Sequence, residues 1–199
     1  MQVGQPSRLT KINYAGLRIC QKITTGETPV LSMKNPIDKF TLTRRHLPHW
    51  QAPGSVYFVT TRCIEGKTLS GIEKDIVENT IRYLNGRRYN LFAYVIMPNH
   101  FHLIIQPVEV GRTSVSLVDD QEKYYNLSEI MHSIKSFSAH EINKKIRIIG
   151  STFQHENFDR IIRNEDELYE KMNYIINNPV KAGLIENPND YKWLFYIGG

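Results

Sequence analysis

Two apolar runs, residues 91–97 and 100–106, follow one another with only a Pro-Asn dipeptide between them. Apolar runs of this length around turn-forming residues predict a β-hairpin or two closely spaced strands. His100 and His102 open the second run, and because side chains alternate along a strand, both imidazoles should point to one face. Two neighbouring neutral imidazoles can bind a divalent metal, but a structural metal site or two ordinary histidines would give the same pattern.

Hydrophobic periodicity predicts further elements on both sides of this hairpin. An aromatic and β-branched run at 56–63 predicts a strand, and apolar residues at helical spacing over 72–84 predict a helix that ends near Gly86. A second helix should begin near Asn126, after a polar loop. Its predicted core-facing stripe consists of Ile130, Ile134, Phe137, Ile142 and Ile146.

A short strand at 158–163 is followed by a third predicted helix. Asn164 and the acidic residues after it are typical of a helix N-terminus. This helix should end near Asn177 or Asn178, because Pro179 disfavours helical geometry in the residue before it. The order β-α-β-β-α-β and then a helix predicts a mixed α/β (α+β) fold, a ferredoxin-like split β-α-β sandwich with an antiparallel sheet.

Composition and charge indicate one globular domain with a basic leading segment. The 199 residues are 41% hydrophobic and 23% charged, and no apolar run approaches the roughly 20 residues that span a bilayer. Residues 1–50 contain eight Lys and Arg against two acids, whereas the rest of the chain contains 17 against 18. We therefore expect a basic, partly ordered arm at 1–40, a domain at 41–199, and a polyanionic partner.

Cysteine usage and the first residues of the chain bear on the compartment. Cys20 and Cys63 are the only cysteines, and they form no CxxC pair, so neither a disulfide framework nor an all-cysteine zinc site is expected. The first twenty residues lack the compact apolar core and the small-residue cleavage site of a signal peptide. We expect a cytoplasmic protein without a membrane partner.

Tyr174 is the candidate reactive side chain that would accompany the histidine pair. At about 100° per residue it falls roughly opposite the apolar stripe of the last helix, where a tyrosine that fills the core would not lie. Asn178 follows one turn later on the same side, and its amide oxygen could supply a third metal ligand. A phenol is a poor nucleophile at neutral pH, and a phosphodiester repels attack until a metal neutralises its charge. These residue types together are typical of phosphoryl transfer to a tyrosine.

Three segments carry a family resemblance: RRHLPHW at 44–50, MPNHFHLII at 97–105 and NYIINNPVKAGLIENPNDYKW at 173–193. Together they resemble the single-tyrosine HUH transposases, specifically the REP-associated tyrosine transposases. The resemblance covers roughly residues 44–196 and leaves the basic arm outside it. The histidine pair alone is a weak motif, but joined to the downstream tyrosine segment at this separation it is specific.

The resemblance implies a metal-dependent single-strand DNA endonuclease and strand transferase that acts beside hairpins through a 5′-phosphotyrosine intermediate. It implies Mg²⁺ or Mn²⁺ as the metal, His100 and His102 as metal ligands, and Tyr174 as the nucleophile on a C-terminal helix. Relatives place a glutamine four residues after the tyrosine as the remaining ligand, where this chain has Asn178. The partner would be single-stranded or hairpin DNA, and the enzyme would be a monomer or a homodimer.

Several side chains are candidates for binding DNA outside the reacting centre. Solvated surface positions are the alternative for the basic candidates, which are Arg44, Arg45, Arg62, Lys135, Arg160 and Arg163. Trp50, Tyr191 and Trp193 could stack on unpaired bases. Two other functions stay open: a non-catalytic hairpin-binding protein derived from such an enzyme, and a zinc hydrolase that adds His155 to the histidine pair.

Overall fold

The computed structural model describes residues 41–44, 48–51, 54–110 and 124–198. Strands β1 (Thr41–Arg44) and β2 (Pro48–Gln51) pair antiparallel as a two-stranded sheet of which the backbone is described. The predicted arm at 1–40, Arg45, and most of the predicted polar loop lie outside the described residues. The predicted domain boundary after residue 40 therefore stays a prediction.

The main sheet consists of five strands: β3 (Val56–Arg62), β4 (Tyr89–Ile96), β5 (His100–Pro107), β6 (Phe158–Ile162) and β7 (Leu194–Tyr196). They pair antiparallel in the spatial order β6-β3-β5-β4-β7. The predicted hairpin is β4–β5, and it places the histidine pair on the central strand. The first and last strands of the predicted motif, β3 and β6, are neighbours in the sheet, and β5 lies between β3 and β4. This is the ferredoxin-like arrangement, extended at one edge by β7.

Three helices complete the fold: α1 (Gly71–Leu84), α2 (Leu127–Ile146) and α3 (Glu165–Lys181). Each begins at a polar side chain that accepts a hydrogen bond from the first turn, namely Ser70, Asn126 and Asn164. A short 3₁₀ helix at Pro188–Asp190 leads back to β7. None of the helices within the described residues combines the length and the apolar composition needed to cross a bilayer.

We call one face of the sheet the closed face and the other the open face. On the closed face, α1 and α2 cover an apolar cluster that includes Val59, Ile81, Phe101, Leu103, Ile130 and Ile134. On the open face, α3 packs on a second cluster that includes Phe58, Ile104, Leu168, Met172 and Ile175. The histidine pair belongs to the open face, because His102 stacks on Phe58 with ring centroids 5.3 Å apart.

The predicted end of α3 was wrong. The helix continues through Pro179 to Lys181, although proline cannot donate the backbone hydrogen bond of that turn. Pro179 is buried in line with Leu168 and Met172, and the amide of Ala182 donates to the carbonyl oxygen of Asn178 at 3.0 Å. Packing of the proline ring and the bond that follows it therefore outweigh the local preference to end the helix.

The predicted apolar stripe of α2 was wrong at Phe137, which is 58% exposed, and at Ile146, which is 37% exposed. The buried side of α2 is centred on Leu127 and Ile134 and includes Ser138. Phe137 lies about 20° beyond Ile130, at the edge of that side, if each residue turns the helix by about 100°. The periodicity located the buried side of the helix but not its limits.

Candidate active site

His100 and His102 lie side by side on the open face of β5, with ring centroids 4.7 Å apart and ring planes at 73°. Strand pairing places Arg62 of β3 opposite His100 and Thr60 opposite His102. Since directly opposed residues in a sheet share a face, Arg62 and Thr60 also point to the open face. The sequence prediction that both imidazoles point to the same side is confirmed.

Each imidazole is oriented through its Nδ1 atom. Nδ1 of His100 lies 2.7 Å from Oδ1 of Asn99, and because a carbonyl oxygen can only accept, Nδ1 is the donor and Nε2 keeps its lone pair. Nδ1 of His102 lies 2.8 Å from Oγ1 of Thr60. Within the described part of the chain, Nε2 of His102 is buried without a hydrogen-bond partner. Imidazoles that bind a metal show this arrangement, with one nitrogen held by an oxygen and the other available to the ion.

Both histidines are held in the neutral form. Burial, together with the charges of His100 and Arg62, lowers the pKa of His102 to about 3. Burial and the charge of Arg62 also lower the pKa of His100. At neutral pH both rings are therefore uncharged, which is the form that coordinates a metal ion.

Tyr174 reaches the histidine pair from α3. Its ring meets the ring of His102 edge-on, with centroids 5.1 Å apart and planes at 74°, and it also contacts the ring of Phe58. The residue is 41% exposed, whereas its neighbour Ile175 is fully buried. Tyr174 is therefore not a core-filling side chain, as its position opposite the apolar stripe predicted.

The histidine pair and Tyr174 line one cavity of about 590 Å³. The end of β3 and the loop after it, residues 62–68, form much of its wall, together with Asn99 and Gln154. Backbone hydrogen bonds hold this wall in place. The Cys63 amide donates to the Asn99 carbonyl at 2.8 Å, and the Gln154 amide donates to the Arg62 carbonyl at 2.9 Å.

Arg62 is the predicted DNA-binding residue that lines this cavity. Its side chain is exposed, and no acidic side chain among the described residues forms an ion pair with it. A guanidinium in this position can bind a phosphate oxygen without first breaking an internal contact.

The other predicted DNA-binding residues differ from Arg62. Nζ of Lys135 donates to the carbonyl oxygens of Gln154 and His155, and Arg160 forms an ion pair with Glu167 at 2.6 Å. Neither residue lines the cavity, and neither does the exposed Arg163. Only the backbone of Arg44 is described, and Arg45 lies outside the described residues.

The cavity does not include two further side chains proposed from the sequence. Asn178 is half-buried on α3 and is not among the described residues that line the cavity. The side chain of His155 is 81% exposed and also lies outside it. Among the described residues, no group of three or more His, Cys, Asp or Glu side chains could hold a metal ion. Within the described residues, a third protein ligand could therefore come from an amide, a hydroxyl or a carbonyl oxygen.

Lys67 and Gln154 line the cavity but carried no signal in the sequence. The ammonium of Lys67 pairs with the carboxylate of Glu73, which also accepts from the amide of Ser70 at 2.7 Å and so completes the cap of α1. The pairing explains why a buried glutamate lies beside the cavity wall, and it lowers the pKa of Glu73 against the opposing effect of its burial. The capping pattern at Ser70 could have located Glu73, but not the lysine that it binds.

Comparison with known proteins gives a fold. No model of a protein family matches the chain, and no curated protein matches it. Among solved structures, the chain is similar to a REP-associated tyrosine transposase bound to a REP hairpin. The TM-score is 0.59 at 19% sequence identity, and the match covers 76% of this chain and 82% of the other. At this identity the similarity shows a common fold.

Proposed function

We propose that this chain is a metal-dependent single-strand DNA endonuclease and strand transferase of the REP-associated tyrosine transposase type. It would act beside hairpins and form a 5′-phosphotyrosine intermediate through Tyr174. The proposal depends chiefly on one observation, the edge-on contact between the rings of Tyr174 and His102 in a cavity that His100 also lines. The common fold with a transposase bound to a DNA hairpin adds support.

In the proposed cleavage step, Oη of Tyr174 attacks the scissile phosphorus. The Oη–P bond forms as the P–O3′ bond breaks, so the phosphate stays on the 5′ oxygen of the downstream nucleotide. The phenolic proton leaves to water in the open cavity, and the departing 3′ oxygen takes up a proton. Strand transfer is the reverse displacement, in which a 3′ hydroxyl attacks the phosphotyrosine and the phenol is regenerated.

The residues of the cavity fit a divalent metal, because His102 offers a buried nitrogen that has no hydrogen-bond partner in the described part of the chain. His100 and His102 would hold Mg²⁺ or Mn²⁺, and Asn178, which lies one turn after Tyr174 but outside the cavity wall, would have to move toward the ion to supply the proposed third ligand. The bound ion would neutralise the phosphate charge and stabilise the departing oxygen. Thr60 and Asn99 would keep the imidazoles oriented, and Arg62 would bind a non-bridging phosphate oxygen.

The test is covalent capture. A single strand that carries a hairpin is incubated with the protein and Mn²⁺, and adducts are separated on a denaturing gel. The wild type should form an adduct, and Tyr174→Phe should form none, since the ring contacts persist but the attacking oxygen is lost. Tyr83→Phe is the matched control, because Tyr83 is an exposed tyrosine of α1 on the closed face.

An unchanged adduct yield in Tyr174→Phe would contradict the mechanism. Strongly salt-dependent hairpin binding without an adduct in any metal would identify the non-catalytic binder instead. Hydrolysis of a small ester that is insensitive to Tyr174→Phe would point to a zinc hydrolase, although the exposed position of His155 gives that alternative no support.

A further inference from the structure

Beside the histidine pair, the open face carries a strip of side chains that α3 leaves accessible. This open strip consists of Thr60 and Arg62 on β3 and of Phe158 and Arg160 on β6. The three outer members, Arg62, Phe158 and Arg160, are exposed, and Thr60 is half-buried. The strip therefore continues the cavity toward the β6 edge of the sheet.

Register places Phe158 in one row with the proposed metal site. Thr60 pairs with His102 on one side and with Phe158 on the other, and directly opposed residues share a face. Because neighbouring strands lie about 4.8 Å apart, Phe158 is about 10 Å from His102 across the sheet. A polymer bound at the histidine pair and extended across β3 would thus pass over the ring of Phe158.

The exposure of Phe158 is unusual for its position. Its side chain is 54% exposed, whereas Ile162 and Phe58, apolar residues on the same face, are buried. Strand alternation directs Asp159 to the other face, so the neighbours of the ring within the strip are two arginines and a threonine. The exposed aromatic face lies between Arg62, which forms no ion pair among the described residues, and Arg160, which is paired with Glu167. An exposed ring beside a cation and a proposed phosphate site matches the pattern with which proteins bind unpaired nucleotides.

We propose that Phe158 is a stacking platform for an unpaired nucleobase close to the phosphate that Tyr174 attacks. This inference rests on the proposed function and deepens it, since it assigns the base-binding contact and requires the strand to be unpaired there. A base inside a duplex is stacked on both sides, so only a single-stranded base can offer a free face to the ring. Two aromatic residues suggested by the sequence are less suitable, because Tyr191 is buried and Trp193 donates its Nε1 hydrogen to Asp75 at 2.7 Å. The side chain of Trp50, the third, lies outside the described part of the chain.

The test compares the binding of a single-stranded oligonucleotide to four proteins by fluorescence anisotropy. Phe158→Leu keeps an apolar side chain but removes the aromatic face, and it should weaken binding by about 5- to 150-fold. Phe158→Trp should bind within about threefold of the wild type, with quenching of the new indole emission on binding. Phe137→Ala is the matched control, since Phe137 is equally exposed but lies on α2 over the closed face.

A second measurement locates the stacked base. An abasic site moved along the oligonucleotide should weaken wild-type binding at one position close to the cleavage site, and Phe158→Leu should lose no further affinity there. If both Phe158 variants bind like the wild type, the platform is wrong, and the proposed nuclease stands if Tyr174-dependent adducts still form. If Phe158→Leu loses binding but the wild type forms no adduct, the platform stands and the proposed cleavage fails. An absence of wild-type binding would overturn both.

Discussion

The two faces of the central sheet differ in what they bury. On the closed face, Val59, Phe101 and Leu103 are fully buried in apolar packing. On the open face of the same strands, His102 is equally inaccessible, yet its Nε2 atom lacks a hydrogen-bond partner among the described residues. Among the residues that the structure describes, the closed face also buries an unpaired hydroxyl oxygen, that of Ser138 on α2, but the unpaired nitrogen on the open face belongs to a ring that lines a cavity.

This difference indicates how stability and function are divided. The alternation of side chains along β5 is enough to separate stability from function, because Phe101 and His102 are consecutive residues on opposite faces. Unsatisfied polar atoms and exposed rings lower stability, and proteins keep them mainly where a ligand makes up the loss. The apolar clusters on both faces should therefore determine the free energy of unfolding, and the part of the open face around His102 should determine the proposed binding of metal and nucleic acid.

The largest expected effect tests this division on β5. Phe101→Ala should lower the free energy of unfolding by about 3–5 kcal/mol, since it opens a cavity in a closed-face core. His102→Leu should change it by less than about 1 kcal/mol, because the lost bond to Thr60 is offset by the removal of an unsatisfied nitrogen. Denaturant titration measures both values. A loss in His102→Leu as large as that in Phe101→Ala would show that His102 itself stabilises the fold, rather than being kept for a ligand.

The closed face and the sheet order could be predicted from the sequence, because they depend on local patterns. The Pro-Asn dipeptide between apolar runs located the hairpin, and alternation located the common face of the imidazoles. Helix periodicity gave the side on which Tyr174 lies. Each of these inferences uses only the geometry of one element or one turn, and tertiary contacts did not change that local geometry.

The features that the sequence did not predict, both in the site and in the fold, depend on contacts between distant segments. Lys67 belongs to the cavity because Glu73 holds its ammonium, and Gln154 belongs to it because its amide binds the carbonyl of Arg62. The continuation of α3 past Pro179 requires the proline ring to be buried, and β7 requires a free edge on β4. Such features follow from tertiary packing, which overrides local preference.

The next effect compares two consecutive threonines on opposite faces of β3. Thr60→Val removes the hydroxyl that orients His102, and it should weaken Mn²⁺ binding by about 10- to 100-fold with little change in stability. Thr61→Val leaves Oδ1 of Asn157 without the 2.9 Å bond from the fully buried hydroxyl of Thr61. It should cost about 1–3 kcal/mol of unfolding free energy and leave metal binding unchanged.

Titration calorimetry with Mn²⁺ and thermal unfolding without metal separate these two outcomes. If Thr60→Val bound the metal as tightly as the wild type, the orientation of His102 would not depend on this bond. If Thr61→Val weakened metal binding at unchanged stability, the two faces would be coupled rather than independent.

The smallest effect concerns charge and compares Arg62 with Arg82. Arg82 forms an ion pair with Glu78 on α1, at 2.9 Å, and lies on the closed-face side of the sheet. Arg62→Gln should weaken binding of single-stranded DNA a few-fold at moderate salt and reduce the slope of log K against log salt by about 0.7, the contribution of one phosphate contact. Arg82→Gln should leave the slope unchanged, because its charge is already compensated.

The slope, more than the affinity, discriminates between these two arginines. A substitution that merely disturbs the cavity wall would lower affinity equally at all salt concentrations, whereas loss of a phosphate contact changes how many counterions are released. If Arg62→Gln kept the wild-type slope of log K against log salt, Arg62 would not contact a phosphate of the DNA, even if the affinity fell. Equal reductions in both variants would mean that DNA binding responds to net charge alone, and the proposal that the open face is the nucleic-acid surface would fail.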